Sequence, residues 1–182
     1  IIFTSRALLK NAVIGILKLN PKGDRSNGRY RLIGEWDVSK ITNMDKIFET
    51  ALMDTSSMDT SMFNGDISKW DVSSVTSMIA TFAGATSFNG DLLEWDVSNV
   101  ADMGAMFWRA SAFDRDLSTW DMSKVTAAAS MFNSATSFNG DISKWDVSNV
   151  WDMSRMFRGA VQFNQKLCEP AWVNAKAKKR LM

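Results

Sequence analysis

The chain has 182 residues, 46% hydrophobic and 23% charged, with a formal net charge of +1. This balance argues against wholesale disorder and gives no bulk attraction to nucleic acid or to an anionic membrane. With 12 Met and 8 Trp but no His and one Cys, the chain lacks the commonest acid–base group and any internal disulfide.

The first residue is Ile1 rather than Met, which reads as a chain cut or processed upstream. Thr4 or Ser5 can cap a helix whose apolar face is Leu8, Leu9, Ala12, Val13, Ile16 and Leu17. The apolar run 12–17 is far shorter than the roughly 18 residues of a membrane span. Asn20-Pro21-Lys22-Gly23-Asp24 breaks the helix, so residues 1–30 read as an N-terminal helical cap and linker.

A repeat then dominates residues 31–166. Trp70, Trp95, Trp120 and Trp145 are 25 residues apart, each followed by Asp: Asp71, Asp96, Asp121 and Asp146. Trp36-Asp37 opens the pattern one period plus nine residues earlier, and the extra residues fall in a long loop near 53–61. Ile33, Ile67, Leu92, Leu117 and Ile142 precede each Trp by three; Val38, Val72, Val97, Met122 and Val147 follow it by two. Then come Met44, Met78, Met103, Ala128 and Met153; Phe48, Phe82, Phe107, Phe132 and Phe157; and the small residues Ala51, Ala85, Ala110, Ala135 and Ala160. Phe63, Phe88, Phe113, Phe138 and Phe163 close the coils.

The Trp-x-Val triplet alternates as a strand does, with Trp and Val inward and Asp outward. The Val-x-x-Met-x-x-Met/Phe spacing suits a helical or 3₁₀ turn on the opposite wall. Stacking on a neighbour would bury the apolar side that no coil can bury alone. Ala127-Ala128-Ala129, where Met is expected, points to an underfilled core or a neighbour reaching in. Residues 167–182 read as a C-terminal cap and basic tail: Pro170 stands in the Trp position, Trp172 comes two residues late, and Lys176, Lys178, Lys179 and Arg180 follow. The lone Cys168 is most simply a small buried apolar residue.

Phe-Asn-Gly-Asp-Ile-Ser-Lys-Trp-Asp-Val-Ser at 63–73, repeated at 138–148, resembles the BspA-like leucine-rich-repeat family. That is the 25-residue type of mycoplasma-like lipoproteins, marine protists, algae and their viruses. The resemblance runs from about Ile33 to Leu167. It implies a short solenoid, often surface-exposed, adhesive or partner-binding, with no catalytic residues to carry over. Period and resemblance together predict an α/β repeat solenoid: a right-handed, leucine-rich-repeat-like stack of about five coils with short parallel strands.

The Asp column Asp37, Asp71, Asp96, Asp121 and Asp146 is one candidate for chemistry, because stacked carboxylates about 5 Å apart need compensation. Either each accepts the N–H or hydroxyl of Ser39, Ser73, Ser98, Ser123 or Ser148, or a cation or basic partner lies along the row. Asp66, Asp91, Asp116 and Asp141, with Asn64, Asn89, Asn139 and Asn164, form a second polar ladder. Calcium suits such oxygens, although the spacing matches neither an EF-hand nor a β-roll nonapeptide. Glu35, Lys69, Glu94, Thr119 and Lys144 place alternating signs on neighbouring coils. Trp108 and Trp151 fall outside the core register and are partner-contact candidates, the plainer reading being that each tucks against its own coil. With no nucleophile beside a base, the sequence points to no catalytic residue and no cofactor.

The expected function is a non-enzymatic protein–protein interaction or scaffold module, set within a larger complex or an organellar assembly. Alternatives are an extracellular or cell-surface adhesion domain and a calcium-dependent carbohydrate or surface binder.

Overall fold

The structure, a computed structural model, describes residues 1–23, 32–49, 60–168 and 170–175. Most of the expected long loop (53–59) and the basic tail (176–182) lie outside the described residues. Helix α1 spans Arg6–Leu19 and is capped by Ser5, whose Oγ accepts the Leu8 N–H at 3.4 Å. It buries Leu9, Ala12, Val13, Ile16 and Leu17, whereas Leu8, expected on the same face, is 55% exposed. Arg6 Nε donates to the Asp45 carbonyl at 2.6 Å and Lys10 Nζ donates to that of Lys46, fixing α1 against the first coil.

The expected α/β solenoid of parallel strands is not what forms. Among the described residues there is no β-strand, only five isolated parallel bridges. Besides α1 there is a 3₁₀ turn, Ile33–Glu35, and the four-residue helix α2, Pro170–Val173. The coils instead stack as chains of turns, and each wall shows why a strand is interrupted.

On the Trp wall, the Trp70 N–H donates to Ile67 O and the Val75 N–H to Val72 O, both three residues back. The Trp-x-Val triplet is therefore pinched between two turns and has no length over which to build a ladder. Its side chains still alternate, with Trp70 and Val72 buried and Asp71 exposed. The indole supplies the link between coils: Nε1 of Trp70, Trp95, Trp120 and Trp145 donates to the carbonyl of Ile33, Ile67, Leu92 and Leu117 at 2.8–3.1 Å. Each of those carbonyls also accepts the Trp N–H of its own coil, so one oxygen serves two turns of the stack.

The opposite wall, expected to be helical or 3₁₀, is a run of overlapping β-turns. Met78, Ala80, Phe82 and Gly84 donate N–H to Asp102, Gly104, Met106 and Trp108 of the next coil at 2.7–2.9 Å. The alternate amides of Thr81, Ala83 and Ala85 donate within the coil to Met78, Ala80 and Phe82. The same alternation recurs from Met103 to Ala110 and from Ala128 to Ala135. A helix would point every N–H along one axis; here half of them cross to the neighbour. Among the described residues a positive φ recurs in two columns, at Lys46, Ala80, Ala105, Ser130 and Arg155 (53–60°) and at Gly84, Arg109, Ser134 and Gly159 (58–75°).

Between the walls run aromatic ladders. Trp36–Trp70, Trp70–Trp95, Trp120–Trp145 and Trp145–Trp172 stack with centroids 6.3–6.5 Å apart. Phe48, Phe82, Phe107, Phe132 and Phe157 repeat at 5.3–5.8 Å, and within each coil the closing Phe lies 3.9–4.2 Å from its partner. A buried aromatic removes about 150–250 Å² from water, so these columns dominate the apolar contribution. Ala128 is buried in the row of Met103 and Met153. Gly140 belongs to the closing turn, where a Cβ would collide with the Arg115 carbonyl of the coil before.

Both ends of the Trp column are covered. Ile2 bridges Asp37 in parallel, and the Phe3 ring lies 5.0 Å from that of Trp36. Trp172, displaced by two residues in sequence, still takes the next column place, stacking on Trp145 and donating Nε1–H to Ile142 O at 3.2 Å. Cys168, expected to be buried, is exposed.

Candidate functional site

The Asp column is folded back on itself. Oδ1 of Asp37, Asp71, Asp96, Asp121 and Asp146 accepts the N–H of the Ser two residues on, at 2.9–3.1 Å. The Ser39 and Ser73 hydroxyls add bonds of 2.7 and 2.6 Å. The Ser hydroxyl first, and then the Ser amide, holds the carboxyls of Asp37, Asp96, Asp121 and Asp146 below the ordinary Asp range. The amide first, and then the hydroxyl, does the same for Asp66 and Asp141. Among the described residues no three His, Cys, Asp or Glu side chains converge as a metal site.

The Asn ladder also satisfies loop backbone. Asn64, Asn89, Asp114 and Asn139 each present Oδ1 to the N–H of residue 89, 114, 139 or 164 one coil on, at 2.8–3.0 Å. Asp114 fills the place of an Asn, a substitution the repeat alone left unread. Among the described residues the alternating row Glu35, Lys69, Glu94 and Lys144 forms no ion pair. The only ion pair among the described residues is Lys46–Glu49, at 3.3 Å.

Trp108 and Trp151 are not brought together in one site. Trp151 is 62% exposed, with its N–H donating to Thr126 O. Trp108 is half-buried and lines a cleft of about 530 Å³ on the turn wall, with Ala105, Arg109, Ser130, Asn133, Ser134, Arg155 and Arg158. The repeat register builds this cleft. Ala105, Ser130 and Arg155 form one positive-φ column, Arg109 and Ser134 belong to the other, and Trp108, Asn133 and Arg158 form the column between.

Electrostatically the cleft has one sign. Three arginines line it and no acidic residue does. The Arg109 guanidinium carbon lies 4.7 Å from the Trp108 ring centroid, a cation–π contact. Arg109, Arg155 and Arg158 are exposed and enter no ion pair with a described acid. The acids at the start of the same segments, Asp102 and Asp152, accept the N–H of Gly104 and Ser154 in their own turns. Sequence reasoning singled out Trp108 and missed the arginines. Aligning Arg109 with Gly84 and Gly159, and Arg158 with Ala83, would have exposed them as departures from the repeat.

A turn-built repeat stack with a varied outer wall is thus the class of protein defined by these coils. The family described as "Mycoplasma protein of unknown function, DUF285" matches over residues 24–136 and 94–180, and the chain belongs to it. In general terms this is the BspA-like repeat family that the 25-residue motif resembles. No curated protein and no solved structure matches the chain.

Proposed function

We propose that the chain is a non-enzymatic interaction or scaffold module that displays its turn wall to another protein. One observation carries this reading. The turn-wall backbone repeats coil after coil, while the residues in its two positive-φ columns and the column between change from the buried Ala80, Ala83 and Gly84 to Trp108, Arg109, Arg155 and Arg158, which line a cleft. Backbone held by bonds between coils presents such side chains at low entropic cost, because little further ordering is needed on docking. Trp and Arg are also the residues most enriched in binding hot spots, and the exposed Trp151 ring adds a second anchor.

The test is gentle affinity purification of the full-length protein from its own cells, with cross-links mapped by mass spectrometry. A fixed-ratio partner cross-linked to the turn wall, and lost on Trp151→Ala with an unchanged melting midpoint, is the expected result. Recovery as a lone monomer would overturn the reading.

A further inference from the structure

We infer that the turn-wall cleft is a binding site for a phosphate or sulfate ester. The inference deepens the display reading by naming the chemistry that the cleft takes. Three features combine. Arg109, Arg155 and Arg158 bring three permanent positive charges to one concavity with no lining carboxylate to neutralise them. Guanidinium groups match tetrahedral oxyanions with paired N–H donors, which a lysine point charge does not. Ser130 and the Asn133 side-chain amide add neutral donors to the same lining, the Ser134 hydroxyl donating to Asn133 Oδ1 at 2.9 Å, and the Trp108 ring forms an apolar wall beside the charge.

The backbone supplies a further argument. Arg109 and Arg155 occupy left-handed positions at φ 58°, where glycine is the unstrained residue and Gly84 and Gly159 stand in the Arg109 column. The fold does not ask for arginine at either place, since Ser134 and Ser130 fill the same registers one coil away. Arg158 likewise stands where Ala83 and Asn133 do. The guanidinium groups therefore serve what lies outside the backbone.

The repeat provides its own control. In Arg109→Ser/Arg155→Ser/Arg158→Asn each arginine becomes the residue that the neighbouring coil carries in that register. Lys40→Gln/Lys69→Gln/Lys144→Gln removes the same charge from exposed positions outside the cleft. The full chain and both variants are titrated with glucose 6-phosphate, glucose 6-sulfate and glucose, following the Trp108 indole N–H and the arginine Nε resonances by NMR. Melting midpoints confirm that both variants are folded.

Saturable shifts are expected with at least one ester and not with glucose. Affinity should fall about tenfold or more in the arginine variant and stay within about twofold in the lysine variant. The better ester then identifies the source as phosphate or sulfate. No saturable shift in the parent protein, equal loss in both variants (surface charge alone), or full retention in the arginine variant would each overturn the inference. A turn-wall protein partner found without ester binding leaves the display reading standing. Ester binding by a protein always recovered alone leaves only this inference.

Discussion

The two walls of each coil obey different rules. On the Trp wall the side chains repeat: the indole Nε1 of Trp70, Trp95, Trp120, Trp145 and Trp172 bonds the carbonyl of the coil before. On the turn wall the inward Met, Phe and Ala repeat, but the residues in the positive-φ columns and the column between them do not. Ala80, Ala83 and Gly84 of the second coil give way to Ala105, Trp108 and Arg109, then Ser130, Asn133 and Ser134, then Arg155, Arg158 and Gly159. Where side chains hold the stack, each coil must carry the same residue. Where main-chain bonds hold it, the side chains in these columns are free to differ from coil to coil.

Three experiments test this contrast. The largest effect is expected from Trp120→Ala, which removes a buried ring, its stacking on Trp145 and its bond to Leu92 O. The cost is about 3–5 kcal/mol, or roughly a 10 °C fall in the melting midpoint by calorimetry. A change of only a few degrees would mean that the indole column is not the principal tie.

A middling effect is expected at Ala105, where φ is 54°. Ala105→Val should destabilise by about 1–3 kcal/mol because a β-branched side chain is strained there, whereas Ala105→Gly should be neutral or mildly stabilising. Denaturant midpoints for the pair measure the difference. Equal midpoints would show that the turn wall tolerates an extended backbone.

The smallest effect concerns acid. The Ser-bonded Asp carboxyls are held below their ordinary range. Their contribution is therefore present above the unfolded pKa of about 3.9 and is lost as pH falls through the lower folded values. The melting midpoint should be flat from about pH 7 to 5 and fall below about pH 4. In Ser98→Ala/Ser123→Ala/Ser148→Ala that fall should be shallower, because the hydroxyl part of the shift is gone.

Period, core and local turns are legible in the chain alone. Trp, Phe and Val recur in one register because each must meet its counterpart one coil away, so burial is written directly into spacing. The Asp-x-Ser turns and a helix cap at Thr4 or Ser5 were legible because donor and acceptor lie within three residues. Strand and helix were misjudged because inward alternation at Trp70-Asp71-Val72 and three-residue spacing after Val75 describe side-chain direction, not where the N–H groups bond. What the stacked coils add is that alternate amides cross to the next coil, that seven of the described non-glycine residues take a positive φ, and that Arg109, Arg155 and Arg158 share one cleft. Those residues lie up to two coils apart in sequence, and the stacking of coils alone brings them to one cleft.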